Sequence, residues 1–178
     1  MAVKYLTTNE LPLNVDLLSA GDRVFLSGTI YTARDAAHIK LCELIDRKEP
    51  LPFELCGSVI YYAGPTPAKD NGQIGSFGPT TSVRMDKFTP LLLENGLCAM
   101  IGKGDRSQAV IDSVVKHGAV YFCAGGGLGA LISKCIESVE EIAFYELGCE
   151  SIKKLTVKNM PLITAIDCFG NSIFNRIG

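Results

Sequence analysis

The sequence predicts an α/β fold built around a mostly parallel central sheet. Segments with helical spacing of apolar residues alternate with short apolar runs of strand length, such as residues 97–102 and 119–123. Strands that are apolar at every position are typical of parallel sheets whose two faces are both covered. Glycine and proline clusters separate these segments, but no long linker divides them. We therefore expect a single domain over residues 1–178.

The first half of the chain is expected to form three strands and two helices after an extended lead-in over residues 1–22. Apolar runs bounded by turn residues favour the strands, and apolar spacing of three and four residues favours the helices. Thr32 and Asp35 have the spacing of a capping box, which favours a helix start there. Asn95 and Gly96 are typical of a helix end. The expected strands are 23–30, 59–63 and 74–77, and the expected helices are 36–48 and 84–94.

The second half is expected to add two strand–helix units and a strand-rich end. Gly118 closes the first of these helices, which contains the apolar residues 110–115. The second helix follows a glycine-rich turn and extends to residue 136. The late strands suggest antiparallel additions to the parallel core, and residues 167–172 form a turn. The expected strands are 97–102, 119–123, 140–144, 154–157 and 161–166.

Charge and hydropathy narrow the function classes. The chain has 178 residues and a formal net charge of −2, with no run rich in lysine or arginine. The sequence therefore lacks the cluster of basic residues that is typical of nucleic-acid binding. The first ten residues lack the apolar core of a signal peptide, and Ala119–Ile132 is too short and too glycine-rich to span a bilayer. We expect a soluble cytoplasmic protein.

The cysteines are expected to be buried, reduced thiols. There are seven of them, an odd number, and no two form a C-x-x-C pair. Only His38 and His117 could add imidazole ligands. A metal ion or cluster held by this chain alone is therefore not expected. The cysteines are Cys42, Cys56, Cys98, Cys123, Cys135, Cys149 and Cys168.

Three cations occupy equivalent positions in the expected fold. Arg34, Arg84 and Lys103 each follow a strand and lie at or near a helix start, where the helix dipole disfavours positive charge. Strand-to-helix turns of a parallel sheet emerge at one edge, which is where such folds bind ligands. Two arginines and a lysine at that edge would suit a small molecule with two carboxylates. The alternative is three separate solvated surface charges.

A second candidate site is the glycine-rich stretch Gly125–Ala130. It fits the pattern G-x-G-x-x-A between a strand and a helix, and Glu146 follows roughly 20 residues later. That pattern would bind a nucleotide or a small anion in a non-catalytic module. Small residues at such a place also let a helix pack closely on a sheet, and the motif alone does not separate these alternatives.

Several motifs together resemble the β subunit, or C-terminal domain, of iron–sulfur hydro-lyases. This family comprises the class I fumarases and the L-tartrate dehydratases. The resemblance covers nearly the whole chain and implies a swivelling β/β/α domain of three layers, with a mostly parallel central sheet and a second, smaller sheet. Two positions depart from the family pattern: Val83 stands where a small residue is expected, and Cys149-Glu150-Ser151 replaces Met-Glu-Ala. The motifs are Thr32–His38, Tyr61–Pro67, Gly78–Asp86, Met100–Gly104, Tyr145–Glu150 and Val157–Phe174.

The resemblance implies a reaction and an enzyme made of two kinds of subunit. Family members reversibly add water to the double bond of a dicarboxylate, converting fumarate to L-malate in the commonest case, with L-tartrate dehydratase as the alternative. By position, Arg34, Arg84 and Lys103 would bind the substrate carboxylates and Thr80 would act as the base. A [4Fe–4S] cluster would be held by a partner α subunit, so the chain would be active only in a complex, as part of a homo- and hetero-oligomer.

Overall fold

The computed structural model of the chain describes residues 1–66, 75–125 and 129–175. In that part of the chain the strands are β1 (Val3–Thr7), β2 (Arg23–Thr32), β3 (Val59–Tyr61), β4 (Ala99–Gly102), β5 (Val120–Cys123), β6 (Ile136–Ala143) and β7 (Ile152–Ile166). The α-helices are α1 (Leu11–Asn14), α2 (Asp35–Asp46), α3 (Thr89–Glu94), α4 (Gln108–His117) and α5 (Gly129–Cys135). Short 3-10 helices cover Val15–Leu17, Ser82–Met85, Tyr145–Glu150 and Ile173–Asn175.

Five of the strands close into a barrel. The strand order is β1-β2-β3-β4-β5-β7-β6, and β7 also pairs with β2. Strands β2, β3, β4 and β5 run parallel to one another. Strand β7 closes the barrel and is antiparallel to both β5 and β2. The outer strands β1 and β6 extend the sheet beside β2 and β7. The parallel core is thus confirmed. The expected antiparallel strands belong to the same sheet as that core and do not form a separate, smaller one.

The apolar strands face two separate cores, which explains their uninterrupted hydrophobicity. Tyr61, Ile101 and Phe122 point into the barrel interior. Ile60 and Met100, which alternate with them, point outward into a second cluster. Both faces of β3 and β4 are therefore buried, as expected for strands of a covered parallel sheet. The helices over the outer cluster contribute Leu41 of α2, Leu92 of α3 and Val110 of α4.

One long strand replaces two of the expected short ones. Residues 154–157 and 161–166 both belong to β7, which continues through Pro161. Pro161 is opposite Phe25 of β2, at a point after β7 has left β6 and before it meets β5. A proline has no N–H to donate, and a strand tolerates it where one side is unpaired. Strand β6 also begins at Ile136, earlier than the expected residue 140.

Two predictions for residues 74–94 were wrong in the described part. Gly75–Phe77 is not a strand, although Ser76 is tied to Thr66 by two hydrogen bonds. The expected helix over 84–94 is divided into a 3-10 turn, Ser82–Met85, and the helix α3. Pro90 lies in the first turn of α3. A proline suits a helix start and not a helix interior, which explains why the helix begins here. Arg84 consequently does not lie at the N-terminus of an α-helix.

The expected capping box at Thr32 was also wrong. Thr32 is the last residue of β2, and its hydroxyl accepts a hydrogen bond from the backbone N–H of Lys153 at 3.1 Å. The helix α2 begins at Asp35, with Arg34 as its N-cap residue and no side-chain cap. The ends of α3 and α4 agree with the sequence, since Gly118 adopts a left-handed conformation with φ 61° after α4.

Candidate functional site

The four predicted site residues come together at the carboxyl ends of three neighbouring parallel strands. Arg34 follows β2, Lys103 directly follows β4, and Thr80 and Arg84 lie in the segment between β3 and α3. Because β2, β3 and β4 are adjacent in the sheet, these chain segments emerge side by side. The expected convergence at one sheet edge is therefore found, with contacts that run between the segments.

Thr80 is held by its backbone at the end of β3. Its N–H donates to the carbonyl of Tyr62 at 2.7 Å. The preceding residue, Pro79, forms an isolated antiparallel bridge with Ala63. The side chain of Thr80 is partly exposed, and its hydroxyl makes no hydrogen bond within residues 1–66, 75–125 and 129–175. A fixed backbone with an uncommitted hydroxyl leaves Thr80 available for a bound molecule.

Ser82 ties the same segment to the end of β4. Its N–H donates to the carbonyl of Lys103 at 2.9 Å, and the N–H of Lys103 donates to the Ser82 hydroxyl at 2.9 Å. The hydroxyl of Tyr121 also donates to Ser82 Oγ, at 2.9 Å. A Cβ atom on Gly102 would lie only 1.9 Å from Ser82 Oγ, so this approach requires glycine. Lys103 is thus fixed through its backbone, and its exposed ammonium has no ion-pair partner among the described residues.

Arg84 forms a two-point ion pair with Asp35, the first residue of α2. Nε donates to Oδ1 at 3.0 Å and Nη2 donates to Oδ2 at 2.7 Å. The Arg84 side chain is 50% exposed and that of Asp35 is 29% exposed. The pair connects the 3-10 turn after β3 to the helix after β2. Asp35 occupies one side of the guanidinium and leaves its other donors to solvent or to a ligand.

Arg34 lies between three chain segments. Its Nε is 3.4 Å from Oε1 of Glu150, an ion pair that does not have hydrogen-bond geometry. A Cβ atom on Gly64 would lie 3.3 Å from Arg34 Cδ and 2.9 Å from the carbonyl oxygen of Cys149. Only glycine at position 64 therefore leaves room for Arg34 between α2 and the Tyr145–Glu150 turn. The sequence singled out Arg34 but gave no indication that Glu150 would pair with it.

A buried arginine that the sequence did not reveal lies next to the candidate site. The Arg106 side chain is fully buried, and its Nε donates to Oδ1 of Asp86 at 2.6 Å. Its Nη2 donates to the Thr89 hydroxyl at 2.8 Å, and the guanidinium lies 5.3 Å and 4.8 Å from the ring centres of Tyr62 and Tyr121. This cation connects the loop before α4 to the start of α3. An arginine just before a helix resembles a surface charge in sequence, so no sequence signal identified it.

His38 holds the backbone of Arg34. Its buried ring donates from Nδ1 to the Arg34 carbonyl at 2.8 Å and packs against Tyr62 and Phe88. Burial lowers the pKa of His38 to about 4, so the ring is neutral near pH 7. Nε2 is buried and makes no hydrogen bond to any described residue. His38 is therefore a neutral support for the Arg34 turn.

Among the described residues, the site lies outside three surface cavities. Cavities of about 500, 240 and 280 Å³ lie near Asp167, near Pro161 and near Cys56, respectively. None of the three is lined by any of the four predicted site residues. Arg84 and Lys103 are exposed, so the site is an open face of the described part of the chain. A small anion bound there would remain in contact with water unless a second surface covered it.

The described residues do not assemble a metal site. No group of three His, Cys, Asp or Glu side chains among them lies close enough to hold a metal ion. The cysteines are all unpaired and dispersed, and burial raises the pKa of Cys98 to about 12 and that of Cys42 to about 11. No helix in the described part is both long and apolar enough to cross a lipid bilayer.

Residues 126–128 of the glycine-rich stretch Gly125–Ala130 lie outside the described residues. Its described neighbours are β5, which ends at Cys123, and the seven-residue helix α5. The next strand, β6, pairs with β7 and not with β5. A dinucleotide fingerprint belongs to a strand–helix–strand unit whose strands run parallel in one sheet. The surroundings of this stretch do not form such a unit.

Comparison with known proteins gives one family match. Residues 3–177 match the family model described as "Fumarase C-terminus". The chain is 40% identical over 170 residues to the putative L(+)-tartrate dehydratase subunit beta of Methanocaldococcus jannaschii, covering 92% of this chain and 87% of that protein. It is 42% identical over 157 residues to the anaerobic class I fumarate hydratase of Escherichia coli, and 41% identical over 158 residues to fumarate hydratase 2 of Leishmania major.

The two kinds of relative differ in length. The aligned residues are 87% and 88% of this chain but only 29% and 28% of the E. coli and L. major proteins. The chain therefore spans less than a third of the fumarate hydratases that it matches, and most of the tartrate dehydratase subunit.

Proposed function

This chain belongs to the family of fumarase C-terminal domains, and on that premise we propose that it is the β subunit of an iron–sulfur hydro-lyase. The reaction is the reversible addition of water to the double bond of a dicarboxylate, with fumarate and L-malate as the first choice of substrates. The observation that carries the proposal is the convergence of Arg34, Thr80, Arg84 and Lys103 at the carboxyl ends of β2, β3 and β4.

The three cations offer groups that bind the carboxylates of a four-carbon dicarboxylate. Each substrate carboxylate carries one negative charge near pH 7, and arginine binds carboxylates with two parallel hydrogen bonds. Arg34 and Arg84 retain N–H donors that bind no described residue, and the Lys103 ammonium has no ion-pair partner in the same part of the chain. Asp35 and Glu150 offset the charges of Arg84 and Arg34, so the cluster keeps a surplus of one positive charge, that of Lys103. This surplus and the remaining guanidinium N–H donors would orient a dianion.

Thr80 is proposed to move the proton at C3 of the substrate. In the dehydration direction its hydroxyl oxygen takes the C3 proton, the electrons of the C3–H bond form the C2–C3 double bond, and the hydroxyl group leaves C2 as hydroxide. The hydroxide takes up the proton that the threonine hydroxyl releases and becomes water, and hydration reverses these events. A free threonine alkoxide is far too basic to exist at pH 7, so its proton must pass to a further acceptor as the reaction proceeds. Arg84 and Lys103 would lower the cost of negative charge on that oxygen once water is excluded from the face.

The iron–sulfur cluster of such an enzyme does not fit this chain. A cluster needs several thiolates at one place, whereas the cysteines here are dispersed and burial keeps the thiols of Cys42 and Cys98 protonated. We therefore assign the cluster to a partner α subunit, and no step of the proposed proton transfer passes through it. The partner would also cover the open face. The relative named as a subunit beta supports this division.

L-tartrate dehydration is the second candidate. The chain covers 87% of a protein named as a putative L(+)-tartrate dehydratase subunit beta, which supports a two-chain enzyme of that kind. Tartrate and malate are both four-carbon dicarboxylates, so the same clamps suit either. The additional hydroxyl of tartrate must be recognised by groups outside the four residues assigned above.

The test is the activity of the chain after anaerobic reconstitution with a cluster-bearing α subunit, with each chain measured alone. The complex is expected to interconvert fumarate and L-malate, and the separate chains are expected to be inactive. Activity with L-tartrate instead would select the second candidate. A complex with an intact cluster that converts none of the three compounds would refute the proposal. Arg84→Met should raise KM by roughly ten- to a hundredfold and lower kcat, whereas Lys87→Met, three residues later, should do neither.

A further inference from the structure

Lys153 on β7 is a buried cation surrounded by oxygen atoms. The residue is 7% exposed, and its Nζ lies 2.7 Å from the Ser151 hydroxyl. The carbonyl oxygens of Ser151, Cys149 and Gly148 lie 3.1, 3.2 and 3.4 Å from the same nitrogen. No carboxylate of the described residues is within ion-pair distance of it, although Glu141 is its cross-strand neighbour. The three N–H donors of the Lys153 ammonium thus bind oxygen atoms of residues 148–151.

The 3-10 turn Tyr145–Glu150, which supplies two of these carbonyls, contains no buried residue. Its Leu147 packs against the outer cluster but remains partly exposed. The turn follows Phe144, whose φ is 58°, and is interrupted at Gly148, whose φ is 61° and ψ −122°. A segment without buried residues also depends on polar contacts for a fixed position. The Lys153 ammonium supplies buried and partly buried polar contacts.

The same turn lies beside the Arg34 side chain. Glu150 Oε1 lies 3.4 Å from Arg34 Nε. The carbonyl of Cys149, which accepts from Lys153, lies against Gly64 beside the Arg34 side chain. Lys153 therefore binds the backbone on both sides of Glu150, the residue that pairs with Arg34.

We propose that Lys153 is a positioning residue for Arg34. Its ammonium is a fixed internal cation that binds residues 148–151, so that Glu150 holds Arg34 with its Nη groups toward the substrate. The functional part of this inference rests on the proposed role of Arg34 in binding a substrate carboxylate. If Lys153 is removed, three carbonyls and a hydroxyl lose a buried donor, and the turn relaxes toward water. Arg34 then loses the fixed position of its ion-pair partner Glu150.

The test compares Lys153→Met with Lys154→Met in the purified complex with the α subunit. Lys154 is the next residue of β7, has the same side chain and lies on the opposite face of the strand, where it lines the cavity near Cys56. Lys153→Met should raise KM for the dicarboxylate roughly tenfold with a smaller change in kcat, and should speed amide hydrogen exchange at residues 148–151 at least tenfold. Lys154→Met should do neither.

A double variant separates positioning from general stability. Glu150→Gln should raise KM by a similar factor, and Glu150→Gln with Lys153→Met should be no worse than Lys153→Met alone, because both act through Arg34. Unchanged exchange at 148–151 in Lys153→Met would overturn the proposal, and so would faster exchange with an unchanged KM. If the wild-type complex converts no dicarboxylate, the proposed function fails separately. The exchange data and the position of Arg34 in a crystal structure of Lys153→Met then decide the role of Lys153.

Discussion

The guanidinium of Arg84 and the carboxylate of Asp35, 49 residues apart in sequence, meet through two parallel hydrogen bonds of 3.0 and 2.7 Å. Asp35 starts α2, and Arg84 belongs to the 3-10 turn after β3, so the pair links the ends of two neighbouring strands. Asp35 binds one edge of the Arg84 guanidinium and thereby fixes the direction of the N–H donors on the other edge. A substrate carboxylate would meet the far side of an arginine that is already oriented.

Asp35→Asn should therefore weaken substrate binding more than it weakens the fold. The amide keeps the shape but accepts only one of the two hydrogen bonds and carries no charge, so the guanidinium loses its fixed orientation. KM of the complex should rise roughly fivefold or more, whereas the free energy of unfolding of the chain should fall by no more than about 1 kcal/mol, since exposed pairs contribute little.

Steady-state kinetics and urea unfolding measure the two effects. Asp46→Asn, at the exposed other end of α2, is the matched control and should change neither quantity. A loss of stability with an unchanged KM would show that Asp35 only holds the fold.

Gly102→Ala should disturb the site by steric overlap. Its added methyl group would meet Ser82 Oγ at 1.9 Å and a ring carbon of Tyr62 at 2.9 Å. Overpacking of this kind typically costs about 1–3 kcal/mol. The midpoint of urea unfolding should fall accordingly. Gly78→Ala, where nothing lies within 4 Å of the added atom, should leave the midpoint within error. Equal midpoints for the two variants would contradict the close packing of Ser82 on β4.

His38 should make the stability of the chain depend on pH between about 6.5 and 4. An unfolded histidine takes up a proton as the pH falls below 6.5, whereas burial lowers the pKa of His38 in the folded chain to about 4. Protons are thus bound preferentially by the unfolded state, and stability is lost as the pH falls through this window. The full difference is on the order of 3 kcal/mol.

Urea unfolding at pH 7 and at pH 4.5 measures this effect. His38→Phe should show a smaller loss of stability between the two values than the wild type. His117→Gln replaces the other histidine, at the end of α4, and should keep the wild-type dependence. If His38→Phe retained the full pH dependence, other groups would be responsible.

Local patterns were sufficient to predict much of the fold. The apolar runs at 97–102 and 119–123 identified β4 and β5 because both faces of these strands are buried. Gly118 identified the end of α4 through its left-handed backbone. The places of Arg34 and Lys103 after parallel strands were predicted correctly, whereas the strand expected before Arg84 is not formed by the described residues 75–77, and Arg84 lies in a 3-10 turn.

Long-range contacts account for what the sequence did not reveal. Closure of the barrel depends on the pairing of β7 with β2, for example Gly28 with Val157, and no local pattern specifies that register. The apolar spacing of residues 84–94 continues through the break before Pro90, so one helix was expected where a 3-10 turn and α3 occur. The partners of Arg84 and Arg106 are distant in sequence, and only the fold selects them.

The most direct test of the account is the rate of L-malate dehydration by the reconstituted complex carrying Thr80→Val, with Thr81→Val as the matched control. Both variants exchange a hydroxyl for a methyl group at neighbouring positions. Thr80→Val is expected to lower kcat at least about a hundredfold with little change in KM, since proton transfer by a positioned group contributes roughly 10²- to 10⁴-fold. Thr81→Val should stay within about threefold of the wild type. A Thr80→Val complex that retains the wild-type kcat would contradict the central claim that this chain supplies the base.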